Sequence, residues 1–198
     1  MTNAAIIGWG KCLPPAVLTN HDLSQLFETN DEWIRSRTGI GSRRASHVSL
    51  GEMAYVAAAR ALACAGIAGK DIEMIVFGTC SHDDQVPNMA SGLQQRIGAN
   101  GGGAMDINTA CTSFLYGLST ATALIRTGVI RNALVVGAEL ITPFMDWTDR
   151  NVAVLFGDGA AAVVLQATDR NEGLLAAHLG CYGDSREILR VHGMGGAY

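Results

Sequence analysis

A chain of 198 residues that is 48% hydrophobic and 16% charged, with 24 glycines, can bury one substantial core and has too few charges to stay disordered. The formal net charge of −4 argues against non-specific nucleic-acid binding, and no stretch reads as a membrane span or as a signal peptide ahead of Ala4. Five cysteines (Cys12, Cys64, Cys80, Cys111, Cys181) lie far apart without Cys-x-x-Cys spacing, which fits free thiols in a reducing cytoplasm rather than disulfides or a zinc site.

Ala4–Gly8 is a short apolar run that reads as a first strand. Thr19 or Asn20 is placed to cap a helix reaching Phe27, and Thr29 or Asn30 a second short helix carrying Trp33. Ser49 and Glu52 form a capping-box pattern before an alanine-rich helix that stops at Gly66. Asp71–Thr79 reads as a buried strand, and Pro87 suits the first turn of a helix running to about Ile97. A strand over 103–108 leads into a helix that opens at Cys111 and stops at Gly128. Ala133–Ala138 is a further apolar strand, followed by a loop from Thr142 to Asn151. Val152–Phe156 and Ala160–Gln166 read as two strands flanking the turn Gly157-Asp158-Gly159, and a last strand covers about Leu174–Leu179. Continuous apolar strands alternating with helices predict an α/β fold, a mixed sheet covered by helices on both faces. Val191–Tyr198 reads as a loop cut in mid-course.

Cys111 is the most informative residue, because it stands where the strand GAMDIN gives way to the apolar stretch CTSFLYGLSTATALIRTG. At a helix N-terminus a thiol faces unpaired backbone N–H groups and the positive end of the dipole, both of which favour an ionised sulfur. Its own N–H is a donor for a growing oxyanion, so the position suits a covalent acyl carrier. Taken alone, a small buried hydrophobe packing a core helix is the commoner fate of such a cysteine. Other conspicuous residues have plainer readings. Trp33 could pack its helix onto a core, and Arg35, Arg37, Arg43 and Arg44 could form a solvated face. Asp158 between two glycines is expected to hold a turn. His82, Asp83 and Asp84 lack metal-ligand spacing, so no metal is expected, and His21, His47, His178 and His192 fall in no motif.

Four segments in fixed order carry a resemblance: DEWIRSRTGI with Arg43 and Arg44 behind it, QVPNMASGLQQRIG, MDINTACTSFLYGL, and DRNVAVLFGDGAAAVVL. Together they are similar to the N-terminal half of a β-ketoacyl-acyl-carrier-protein synthase III, a condensing enzyme of the thiolase superfamily, from Ala4 onward. The resemblance implies a layered α-β-α-β-α fold with a central helix starting at Cys111. Residues 1–170 would be the N-terminal thiolase-like half and 171–198 the start of an incomplete C-terminal half. It also implies that Cys111 takes an acyl group from acyl-coenzyme A. The acyl-enzyme then condenses with malonyl-acyl-carrier protein, losing carbon dioxide, to give a β-ketoacyl thioester that initiates fatty acid synthesis. Trp33 matches the family tryptophan that stacks on the coenzyme A adenine, Arg37 and Thr38 the pair beside it, and Arg150 the arginine of the DRG loop. No permanently bound cofactor is implied, only acyl-coenzyme A as substrate, with acyl carrier protein and a second copy of the chain as partners.

Two positions depart from the family pattern. Asn151 replaces the glycine after the DRG arginine and adds a side chain near the tunnel mouth. Val86 replaces a bulky aromatic that in relatives using acetyl primers closes the partner's acyl pocket, so a primer longer than acetyl is expected. The family's catalytic histidine and asparagine belong to the C-terminal half and have no match here. They are expected on a second polypeptide, or else lost. The competing readings are an acyltransferase or a polyketide- or quinolone-type condensing relative using another acceptor, and a non-catalytic partner subunit. Retention of Cys111 argues against the last.

Overall fold

The first strand, β1 (Asn3–Cys12), outruns its apolar stretch because it pairs antiparallel along its length with a late strand. The computed structural model describes residues 2–191, so most of the segment read as a cut loop, including His192, lies outside the described residues. After β1 come β2 (Ala16–Thr19), α1 (Asn20–Ser24), α2 (Asp31–Thr38), β3 (Ser42–Ala45) and α3 (Leu50–Ala65). Then follow β4 (Met74–Gly78), α4 (Met89–Ile97), β5 (Gly103–Ile107), α5 (Ser113–Arg126), β6 (Asn132–Glu139), α6 (Arg150–Ala153) and β7 (Gly159–Thr168).

The helix boundaries follow side-chain chemistry. Thr19 caps α1 in a reciprocal box with Asp22, Asn30 accepts from the Trp33 N–H to start α2, and Ser49 accepts from the Glu52 N–H to start α3. Gly66, with φ of 69°, ends α3 in the left-handed conformation that glycine tolerates.

The main sheet has the order β1-β7-β6-β4-β5, and β2 pairs with β3 in a small ribbon. The three strands β6, β4 and β5 run parallel, and β7 is antiparallel to both β1 and β6. Alternate residues face opposite layers. Ile75, Phe77, Leu134 and Val136 pack with the alanines of α3, while Val76, Ala133 and Val135 pack with Ala121 and Ile125 of α5. The result is a helix–sheet–helix stack of the expected α/β type, with a mixed sheet. Its layers approach closely at glycines: a Cβ on Gly10 would stand 2.3 Å from the Ala57 carbonyl oxygen of α3.

Four sequence expectations are corrected. The helix after Cys111 begins at Ser113 with Thr112 as N-cap, which leaves Cys111 in the preceding turn. Pro87 precedes the N-cap Asn88 of α4 rather than entering the helix, because the Asn88 side chain captures the Ser91 N–H. Val152–Phe156 is not a strand. Asp149 accepts from the Asn151 N–H and starts the short helix α6, and Val154 buries against Leu23 and Ile34. The antiparallel pairing expected there is made instead by β7 with β1 and β6. Leu174–Leu179 forms no strand; Leu175 and Leu179 are exposed, so no partner edge orders the segment.

Candidate active site

Cys111 lies beyond the carboxyl end of β5, in a turn held by its neighbours. Asn108 accepts from the Ala110 N–H (3.1 Å), and the buried Ser113 hydroxyl accepts from the Thr109 N–H (2.9 Å) and donates to the Ala110 carbonyl (2.7 Å). Ala110 has a φ of 50°, the one positive value outside glycine among the described residues. Holding alanine there costs about 1–2 kcal/mol, and strain of this kind gathers at functional turns. Thr112 gives the first turn of α5 no side-chain cap, while the Thr112 and Ser113 amides donate to the Thr109 (3.2 Å) and Ala110 (3.1 Å) carbonyls and tighten the turn. Cys111 is exposed and lines a cavity of about 270 Å³ with Gly78, Ala110, Ser113, Phe114, Gly137, Ala138, Glu139 and Ala161. A thiol at the mouth of a small, mostly apolar cavity can accept and shelter an acyl chain.

Glu139, which sequence reasoning did not single out, supplies the carboxylate of that cavity. The Cys80 N–H donates to one of its oxygens (2.9 Å), and the hydroxyls of Ser81 (2.5 Å) and Thr79 (3.3 Å) donate to the other. The Leu140 N–H donates to Ser81 Oγ (2.8 Å), so the ends of β4 and β6 are clipped together. Partial burial, and after it the negative charge of Glu139, push the Cys80 thiol up to about 12, with the nearby Cys111 adding to the effect. Cys80, Cys111 and Glu139 all stand at the carboxyl ends of the three parallel strands, where α/β sheets bind ligands. Their grouping follows from strand order, and no local motif announces it.

Trp33, Arg37 and Arg150 are brought together at a second locus. The Arg150 guanidinium stacks 4.0 Å from the Trp33 ring centroid and that of Arg37 4.5 Å. Two cations on one indole make an electropositive aromatic platform. Thr38 sits beside it, but its hydroxyl donates to the Ile34 carbonyl (2.8 Å) and accepts from the Ile40 N–H (3.0 Å), ending α2. Asn151 is exposed, with its amide on Asp149 (3.1 Å). Val86 is 85% exposed and stands apart from both groups, outside the lining of the Cys111 cavity.

Asp158 and Asp83, named from sequence, and Asp106, which was not, hold the scaffold. Asp158 is buried and accepts from the amides of Ser46, Ile141 and Thr142 and from the Thr142 hydroxyl, all within 2.6–2.9 Å. Asp83 accepts from the Leu50 and Gly51 amides at the start of α3, and Asp106 from the Met89 and Ala90 amides at the start of α4. His82 leans on Asp106 at 3.5 Å.

Residues 105–183, which run from β5 through the Cys111 turn and β7, match the family model of 3-oxoacyl-[acyl-carrier-protein] synthase III. A curated β-ketoacyl-[acyl-carrier-protein] synthase III 2 of Vibrio cholerae is 54% identical over 98% of this chain. Over nearly its whole length the chain is similar to β-ketoacyl-acyl-carrier-protein synthase III enzymes. A synthase III of Bacillus cereus is 46% identical over 94% of the chain. The solved synthase III structure from Pseudomonas aeruginosa superposes with a TM-score of 0.92, at 38% identity, over 98% of this chain and 62% of that one. The chain spans 54% and 61% of the lengths of the two curated synthases.

Proposed function

We propose that the chain carries the acyl-accepting part of a β-ketoacyl-acyl-carrier-protein synthase III. In this reading Cys111 takes an acyl group from acyl-coenzyme A and the acyl-enzyme condenses with malonyl-acyl-carrier protein. The observation that supports it best is the exposed Cys111 in a strained, hydrogen-bonded turn that lines a mostly apolar cavity. In the first half-reaction the Cys111 sulfur attacks the thioester carbonyl. The oxyanion meets the Cys111 N–H, and coenzyme A leaves as its thiol. The apolar walls of the cavity then receive the acyl chain. The histidine and asparagine of the family's catalytic set are supplied by sequence outside this chain, on the same or a second polypeptide, and the working form is a homodimer in the cytoplasm.

Trp33, Arg37 and Arg150 are the grip on the coenzyme A nucleotide, with Thr38 bracing the end of α2. A guanidinium 4.0 Å from the ring leaves no space for a base between them, so adenine stacks on Trp33 only where an arginine yields the face. The freed cation then pairs with phosphate. Val86 opens the partner's acyl pocket, which favours primers longer than acetyl, and Asn151 adds a side chain at the approach of the pantetheine arm.

Mass spectrometry after mixing the protein with an acetyl-to-decanoyl-coenzyme A series tests this reading. The expected result is a mono-acyl adduct on Cys111, absent in Cys111→Ala and formed fastest beyond acetyl. No adduct from any member overturns it, and a clear acetyl optimum overturns the primer assignment. A polyketide-type starter role is kept as a second reading by the 32% identity and TM-score of 0.82 to the priming β-ketosynthase of the R1128 polyketide pathway. Product analysis with malonyl-acyl-carrier protein against malonyl-coenzyme A separates the two.

A further inference from the structure

Arg43 is 6% exposed, yet among the described residues its guanidinium is paired with no carboxylate. One arm donates to Asn20 Oδ1 (2.8 Å) and, at 3.4 Å, to the Leu18 carbonyl, and the other to the Val154 carbonyl (2.7 Å). Its Nε is buried without a partner, and burial holds the guanidinium below its ordinary value. Because a buried cation without an anion is costly, Arg43 is a place where stability has been given up.

The partners of Arg43 explain what it does. Asn20 is 1% exposed, and its amide nitrogen donates to Asp31 Oδ1 (2.7 Å) and to the Ile40 carbonyl (2.8 Å). Asp31 is the first residue of α2, and Ile40 follows the Gly39 that ends it, so one side chain grips both ends of α2. The same amide faces the Arg43 cation with its oxygen and the Asp31 anion with its nitrogen, an alignment that strengthens both bonds. The Asn20 hydrogen bond is the largest influence holding the Asp31 carboxyl below the usual carboxylate range. The second arm of Arg43 ends on Val154, the C-cap of α6, whose first residue is Arg150. Arg43 therefore ties the helix bearing Trp33 and Arg37 to the helix bearing Arg150, across a link independent of the stack itself.

We propose that Arg43, acting through Asn20 and the Val154 carbonyl, is the positioning residue that sets the spacing of the Trp33–Arg150 platform for an adenine nucleotide. The inference rests on the reading of Trp33, Arg37 and Arg150 as the nucleotide grip. A planar fork reaches both acceptors at once, whereas an ammonium at the same place reaches one.

Arg43→Lys keeps the charge and removes the second arm. Its coenzyme A affinity is measured by calorimetry, beside the rates of Cys111 acylation from octanoyl-coenzyme A and from octanoyl-pantetheine, which lacks the nucleotide. The expected result is coenzyme A binding weakened about tenfold, within the range for loss of a base stack, a matching rise in KM for octanoyl-coenzyme A, and an unchanged rate from octanoyl-pantetheine. Unchanged coenzyme A binding overturns the proposal. So does an equal loss with both thioesters, which marks Arg43 as general scaffold. If the wild type binds coenzyme A but acylates with neither thioester, the acyl-transfer reading fails and the calorimetric comparison still decides Arg43. If the wild type does not bind coenzyme A, the grip and this inference fall together. Should Arg43→Lys not fold, Asn20→Ala, which leaves Arg43 its two carbonyl acceptors, is read by the same criteria.

Discussion

Gly78→Ala perturbs the site through a single methyl group. A Cβ on Gly78 would stand 2.8 Å from the Ser113 carbonyl carbon and 2.9 Å from both the Phe114 nitrogen and the Ser113 Cβ. Relaxed carbon contacts lie near 3.5–4.0 Å, so the first turn of α5 must retreat by about 0.6 Å or more. The obstructing atoms are mainly backbone and cannot swing aside. Overpacking of this kind costs about 1–3 kcal/mol. The retreat carries Cys111 with it, because Ser113 Oγ anchors the turn through Thr109 and Ala110. A misplacement near 1 Å can cost about 100-fold in rate, so roughly tenfold slower acylation is expected here. Gly92→Ala is the control. Gly92 is exposed on α4 and its added Cβ meets nothing within 4 Å, so a gain of about 0.5–1 kcal/mol is expected from helix propensity, with unchanged acylation. Urea unfolding and the rate of acyl adduct formation measure both variants. A Gly78→Ala protein equal to wild type in stability and rate would refute the claim that this glycine sets the Cys111 turn.

Other outcomes follow from the same geometry. Asp158→Ala strands the Ser46, Ile141 and Thr142 amides, and a loss of about 3 kcal/mol or more in urea unfolding is expected, since each stranded donor costs about 1–3 kcal/mol. Trp33→Ala is expected to raise KM for octanoyl-coenzyme A by about 5- to 100-fold, the range of one base stack, and to leave octanoyl-pantetheine unchanged; equal effects on both would count against the platform. Cys80 has its thiol raised from 9.0 to about 12, so the folded state holds this proton where the unfolded state releases it. Its contribution to stability is complete below about pH 9 and is lost as pH rises from there toward 12. Stability measured across that interval should fall more steeply in the wild type than in Cys80→Ala. Cys80 is exposed like Cys64 and Cys181, so its slower labelling by iodoacetamide at pH 8 is expected from its raised thiol and not from shielding.

Where local chemistry decides structure, the sequence carried much of the answer, although it left Thr19 or Asn20 and Thr29 or Asn30 open as caps and ran α1 on to Phe27. The caps at Thr19, Asn30 and Ser49 fall where short polar side chains precede helix formers, and the stop at Gly66 falls where a left-handed residue is needed. The runs MIVFG and ALVVGA became strands because residues apolar on both faces need helices on both sides, whereas IIG, with Ile6 exposed, joins the sheet at its edge by pairing with β7. Asp158 was legible as a structural acid from its glycine neighbours. Val152–Phe156 was misread as a strand because a five-residue apolar run has no period of its own; burial of Val154 against Leu23 and Ile34 decided it.

The order β1-β7-β6-β4-β5 was not written in any single segment, since strand neighbours are chosen by packing across the whole sheet. That order brings Glu139, 28 residues after Cys111 in sequence, into the Cys111 cavity, and Cys80, 31 residues before it, onto Glu139 beside that cavity. Likewise Arg35, Arg37, Arg43 and Arg44 look equivalent as a run of charges. Only the tertiary structure separates Arg43, buried between α1 and α6, from Arg37 on the Trp33 ring, because burial is a property of what packs above a side chain. Local sequence therefore determined most of the elements, and four motif segments carried the family resemblance, while long-range packing overruled the strands expected at 152–156 and 174–179 and decided which side chains share the sites.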